Sequence, residues 1–335
     1  MRQLAKKLWH LLFSVMPFII VGGLLSAALF IKPKAAGKSI EPPAIDRRDH
    51  FYGIAVPERG VIWAAGNDGK VVRSEDGGNS WKIQHTPVRQ HLQDIAEWDA
   101  QRAVAVGNQA VVIVTRDRGK TWKEVQVPRS QVANKMIRVK TYPGGIAWSV
   151  GEMGAVLYTR DYGETWERRT NEEDVGWFDV AFADERNGWV VGEFGRMLRT
   201  TDGGTTWKSV KIPVQSSLMA IAFRDRMNGV AVGLEGVVLA TNNGGNTWHQ
   251  ANKVTANHLL DVAWDGQSWR AVGGKGVLVT GDTGGASWKA GLLSDRDLAW
   301  HTRANSRFGS LYVSGASMGV LQNGSWNVFR SKAGG

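Results

Sequence analysis

From about residue 49 onward, apolar residues fall in short runs separated by turn-forming residues. The stretch "FDVAFADERNGWVVGEFGRMLRTTDGGTTWKSV", residues 178–210, displays the pattern. "FDVAF" is apolar and alternating, "ADERNG" is a turn and "GWVVG" is a second apolar run. "EFG" is a tight turn, "RMLRT" alternates again, and "TWKSV" follows the next turn. The spacing predicts four short strands with Gly and Asx punctuation between them. The next stretch, "MAIAFRDRMNGVAVGLEGVVLATNNGGNTWHQA", aligns to it without gaps.

The turn between the third and fourth strands is the most regular feature. "TTDGGTTW" at 200–207 has relatives in "SEDGGNSW", "TRDRGKTW", "TRDYGETW", "TNNGGNTW", the longer "TGDTGGASW" and the truncated "LQNGSW". Their last residues are Trp81, Trp122, Trp166, Trp207, Trp248, Trp288 and Trp326, spaced by 41, 44, 41, 41, 40 and 38 residues. A period near forty with four strands per unit predicts a seven-bladed, all-β propeller over residues 49–330. Asp76, Asp117, Asp161, Asp202, Asn243 and Asp282 hold the third place of the octets. An Asp or Asn there bonds to backbone N–H groups just ahead and imitates a turn. Gly at the fifth place supplies positive φ, and the Trp anchors the outer strand by burial. Each octet has one carboxylate, whereas a calcium site needs several oxygen ligands. The octets therefore read as structural staples with no metal.

The octets match the Asp-box, or bacterial neuraminidase repeat. The whole unit, from "FDVAF" through "GWVVGEFG" to "TTDGGTTW", resembles the repeat of the photosystem II stability and assembly factor family. That resemblance implies a propeller without catalysis or cofactor, serving as an assembly or accessory factor for membrane proteins. The partner it implies is an integral inner-membrane protein: a photosynthetic-complex subunit, or a transporter of the resistance-nodulation-division type.

Composition adds three constraints. The chain has no Cys among its 335 residues, which excludes disulfides and thiolate metal sites. The formal charge is +10, which raises nucleic acid as a partner. Residues 1–48, however, carry eight Lys or Arg against two acids, so most of the excess lies outside the repeats and no nucleic acid is expected. Third, "LWHLLFSVMPFIIVGGLLSAALFI" (8–31) has no formal charge. As a helix it would reach about 36 Å, enough to cross a bilayer core of about 30 Å. A signal peptide would carry an apolar region of only about 7–15 residues, although "SAA" at 26–28 also reads as a cleavage site. The expected organisation is a cytoplasmic N-terminus at 1–7, a transmembrane anchor at 8–31, a linker at 32–48, the propeller at 49–330 and a tail at 331–335. This places a single-pass protein in a bacterial inner membrane with the propeller on the periplasmic side. Gly22, Gly23, Ser26 and Ala27 form a small-residue face suited to helix packing in lipid.

Alternating strands put the octets on one propeller face. The turns between strands two and three, and the blade-to-blade loops, fall on the other. Three places before Asp179 and its counterparts stand His50, His91, Lys135, Gly176, Ser217, His258 and Arg296. The inner column itself reads Gly53, Asp94, Arg138, Asp179, Ala220, Asp261 and Ala299. With Arg89 and Arg129 on the loops, these residues predict a cationic ring at the channel mouth. Arg89, His91, Arg129, Lys135, Arg138, His258 and Arg296 are its candidate partner-binding residues. Arg270, at an otherwise apolar place of strand two, must be paired or reach an edge. His301 and Arg303 break the apolar pattern of the seventh unit, either by drift or because they face the channel.

A sialidase-like glycoside hydrolase or carbohydrate-binding propeller is the rival reading. It needs three arginines on a substrate carboxylate and a Tyr nucleophile assisted by an acid. The Arg-Ile-Pro element is missing; "KIP" at 211–213 is the nearest string. No catalytic residue is assigned.

Overall fold

The computed structural model describes residues 2–30 and 43–330. It divides into two compact units, 1–42 and 43–335. The first holds one helix, α1 (Arg2–Phe30), which contains Pro17 and an apolar stretch from Trp9 to Ala27 long enough to cross a membrane. The helix runs through the segment expected to be a separate cytoplasmic N-terminus. Gly22, Gly23 and Ser26 are exposed, and Ala27 is half-buried. A methyl at Gly22 or Gly23 would meet nothing within 4 Å, so the small-residue face has no partner among the described residues. Ile31, most of the expected linker and the tail at 331–335 lie outside the described residues.

The second unit is a ring of seven four-stranded antiparallel sheets, each built from consecutive strands. Blade 4 runs Trp177–Phe182, Gly188–Gly192, Met197–Thr200 and Lys208–Ser209, close to the segments the pattern predicts. The first strand of each blade is innermost and packs against its counterparts in the neighbouring blades. The hydrophobic core is distributed between blades. Leu218 and Ile221 of blade 5, for example, pack with Trp189, Val191 and Met197 of blade 4. Packing begins before residue 49, because Ala44 and Ile45 join the cluster of Phe51, Trp81, Met318 and Phe329.

Every inner strand carries a register shift near its start. The residue ahead of the strand turns its carbonyl to the tight turn between strands two and three. In blade 4 Gly176 accepts from Glu193 N–H at 3.1 Å, and in blade 7 Trp300 accepts from Ala316 N–H at 3.0 Å. The Gly that closes strand two lies against this carbonyl: a methyl at Gly192 would sit 2.2 Å from the Gly176 oxygen. That contact explains the terminal Gly of "GWVVG".

The octets work as staples within and between blades. In blade 4 the Thr200 hydroxyl donates to Asp202 Oδ1 at 2.7 Å and accepts from Gly204 N–H at 2.9 Å. Asp202 then accepts from Thr206 N–H at 2.9 Å and from its hydroxyl at 2.6 Å. The bonds from Thr206 hold the Asp202 carboxyl down to about 2. Gly204 has φ +82, and a methyl there would lie 2.1 Å from the Trp148 ring of the preceding blade. Trp81, Trp122, Trp166 and Trp248 are buried as expected. Trp207 and Trp288 are only half-buried. In blade 5 Asn243 makes the same turn: Oδ1 accepts from Thr247 N–H at 3.0 Å, and Nδ2 donates to the Thr247 hydroxyl at 2.8 Å. Asp202→Asn should therefore leave the thermal unfolding temperature close to wild type. Asp202→Ala, which strands the Thr206 N–H, should lower it clearly.

Candidate functional site

The inner strands bring six charged side chains together in the central channel. Arg138 is buried and makes a bidentate contact with Asp261, with Nη2 2.9 Å from Oδ1 and Nη1 3.2 Å from Oδ2. Its Nε lies 3.2 Å from Asp179 Oδ1, and Lys140 Nζ lies 2.9 Å from Asp179 Oδ2. Arg303 Nε lies 3.0 Å from Asp94 Oδ1, and its Nη2 donates to the Ile137 carbonyl at 2.7 Å. Backbone N–H groups complete the carboxylates: Val139 on Asp94, Ile221 on Asp179 and Ala304 on Asp261. Three acids and three bases thus cross-link the inner strands of six blades, 2 to 7. Burial tends to raise the Asp261 pKa, but the Arg138 and Arg303 guanidiniums outweigh it and hold the carboxyl below the usual range.

A cavity of about 260 Å³ opens beside this network, on the octet side of the channel. Glu97 and Arg307 line it, with 3.9 Å between Arg307 Nη2 and Glu97 Oε1. Burial pushes the Glu97 carboxyl up to about 7, against the weaker pull of Arg307. Glu97 stands three places after Asp94, where blades 4, 5 and 6 hold Phe182, Phe223 and Trp264.

The predicted basic ring is changed by these placements. Arg138 is not a surface group; its bulged strand turns it into the channel, where carboxylates consume it. Arg296 does not occupy the seventh place of the column, because the carbonyl that defines the place belongs to Trp300. The inner residue of blade 7 is accordingly Arg303, not Ala299. His91 and His258 act as acceptors. Nδ1 of His91 receives Asp68 N–H at 3.0 Å, and Nδ1 of His258 receives Glu235 N–H at 2.9 Å. Each donor is the positive-φ residue of the preceding blade's tight turn, so the rings join neighbouring blades. Lys135 is half-buried. Arg89, Arg129 and Arg296 remain exposed on blade-to-blade loops, with no acid within ion-pair distance among the described residues.

The two sequence misfits have clear roles. Arg270 Nε bonds Asp265 Oδ2 at 2.7 Å and its Nη1 bonds the Thr280 hydroxyl at 2.8 Å. His301 is buried, with Nε2 3.0 Å from Ser317 Oγ, which in turn donates to Asp297 Oδ2 at 2.6 Å. Lys140, Glu97 and Arg307 escaped the sequence reading. The signal for Glu97 was a lone acid in a column with three aromatic residues.

The profile of one protein family, described as the photosynthesis system II assembly factor YCF48, matches residues 79–176 and 205–298, together more than half of the chain. The chain belongs to this family. No curated protein matches it in sequence. Among solved structures, a YCF48 bound to a D1 peptide is similar with a TM-score of 0.67 at 15% identity, covering 89% of this chain and 100% of that one. YCF48 from Cyanidioschyzon merolae is similar at 0.65 and 18% identity, covering 83% and 95%. PorZ, a surface component of the type-IX secretion system of Porphyromonas gingivalis, is similar at 0.63 and 11% identity, covering 84% of this chain and 38% of that one. These YCF48 structures share the propeller fold with this chain.

Proposed function

We propose that this YCF48-family protein is a non-catalytic assembly or accessory factor, tethered in the bacterial inner membrane by α1 and docking on an integral membrane protein from the periplasmic side. The partner is a transporter or a photosynthetic-complex subunit. The observation that carries the docking surface is the set Arg89, Arg129 and Arg296. These are exposed cations on three separate loops of the face opposite the octets, and none has an acid within ion-pair distance among the described residues. The YCF48 structure with a D1 peptide supports a propeller that holds a segment of a membrane protein.

The channel chemistry argues against a sialidase-like reaction. Arg138 and Arg303 are spent on buried carboxylates and are not poised for a substrate. The Tyr142 hydroxyl accepts Phe182 N–H at 2.9 Å, and burial raises its pKa, the opposite of nucleophile activation.

Exposed charge pairs contribute about 0–1 kcal/mol each, so single substitutions should do little. Tethering both proteins in one bilayer raises their effective concentration, so a weak contact suffices. Reversing Arg89, Arg129 and Arg296 together to Glu should release the partner in mild-detergent co-purification while thermal unfolding stays unchanged. Raising salt should weaken wild-type recovery in the same way. Wild-type recovery by the folded triple variant would remove this face as the dock.

A further inference from the structure

On the octet side of the ring, indole rings of strand two meet arginines across the strand pair. In blade 1 Trp63 pairs with Arg73, whose guanidinium carbon lies 5.2 Å from the ring centre. In blade 4 Trp189 pairs with Arg199 in the same way at 5.4 Å. Blade 3 departs from this arrangement. There the partner of Trp148 is Tyr158, an aromatic residue where blades 1 and 4 place a cation. The Trp148 ring lies 4.7 Å from that of Tyr158 and 4.9 Å from that of Phe182.

A cavity of about 290 Å³ opens at this seam. Its aromatic walls are Tyr142, Trp148, Tyr158 and Phe182, and Asp184 and Glu185 also line it. Asp184 is already engaged, 3.1 Å from Arg226 and bonded to Asn187. Glu185 is exposed, and no cation lies within ion-pair distance of it among the described residues. Arg169 lies over Tyr158 at 4.7 Å but does not line the cavity.

We propose that this seam between blades 3 and 4 is a binding site for an arginine side chain of a partner protein. The aromatic faces present negative potential to a guanidinium. The apolar walls cover its methylene stem. Glu185 supplies the counter-charge at the mouth. The volume is at the small end of ligand pockets and suits one side chain rather than a whole cofactor. The protein itself places guanidiniums on aromatic rings of this layer, on the indoles of blades 1 and 4 and on Tyr158, which makes an incoming arginine the matching occupant of the open part of the cavity. The site lies on the opposite face from Arg89, Arg129 and Arg296 and rests on no part of the docking reading.

The test titrates the full-length protein in detergent micelles with ethylguanidinium and with its neutral isostere ethylurea, followed by ligand-observed NMR. Ethylguanidinium should bind about tenfold or more tightly than ethylurea, as expected for a desolvated cation–π contact. Tyr158→Arg, which copies blades 1 and 4, should abolish that binding while the protein unfolds at or above the wild-type temperature. Glu185→Gln should weaken it severalfold. Equal binding of the two probes, binding of neither, or full binding by a stably folded Tyr158→Arg variant overturns the proposal. Should Tyr158→Arg unfold early, the exposed Glu185→Gln variant decides, and unchanged affinity there overturns it.

Discussion

Replacing Arg138 with methionine is expected to cost about 3–5 kcal/mol of unfolding free energy, because it strips buried Asp261 of its bidentate partner and leaves buried Asp179 with Lys140 alone. Asp179 and Asp261 are each almost wholly buried, and both face this one guanidinium. Urea unfolding at two pH values checks the mechanism. In the wild type the depressed Asp261 pKa contributes stability that is present above the unfolded carboxyl pKa of 3.8 and lost as pH falls through the folded value. In the variant, burial dominates, Asp261 takes a proton more readily, and the deficit relative to wild type should shrink as pH falls. A surface docking role for Arg138 would instead leave the urea midpoint unchanged at every pH.

The second large effect has the opposite sign. Glu97→Gln should stabilise the protein by about 3 kcal/mol at pH 8 and by almost nothing at pH 4.5. The folded carboxyl titrates at about 7, against 4.5 when unperturbed. Below pH 4.5 both folded and unfolded chains hold the proton, so the residue is neutral in effect. Between 4.5 and about 7 the unfolded chain has lost the proton while the folded chain keeps it, so stability falls as pH rises. Above about 7 the loss is complete. Thermal unfolding of both proteins across this window measures it; parallel pH curves would show that Glu97 is not the titrating group.

Much of the ring was legible in the sequence because its information is local. The turn residues, the alternation of "FDVAF" and the Gly of "GWVVG" each answer to contacts within one or two strands. Repetition then multiplied a weak signal seven times. Arg138 was misplaced for a different reason. Its carboxylate partners lie 41 and 123 positions away, and only the closed ring makes them neighbours. The bonds of His91 and His258 were not legible, because residue type carries no hydrogen-bond direction: both rings accept backbone N–H groups of the preceding blade. Arg296 was displaced by four positions because the seventh unit lacks the apolar pattern that aligned the other six. The flagged Arg303 proved to be the channel residue of that unit. Glu97 was visible only as an exception in a column that includes Phe182, Phe223 and Trp264.

Each blade is made of four consecutive strands, so no sheet contains strands from both ends of the chain. The seam between blades 7 and 1 is closed by side chains, with Phe329 5.3 Å from Trp81 and the Tyr52 and Trp300 rings stacked at 5.8 Å. For a chain emerging residue by residue, every blade can pair fully before the next is made, while the closing seam and the channel ion pairs wait for later blades. The same layout makes the gene a string of separable cassettes. A recombination that cuts between units adds or removes one complete sheet and splits none, so the number of blades in a lineage is constrained by the closing seam and by the ion pairs that cross the channel.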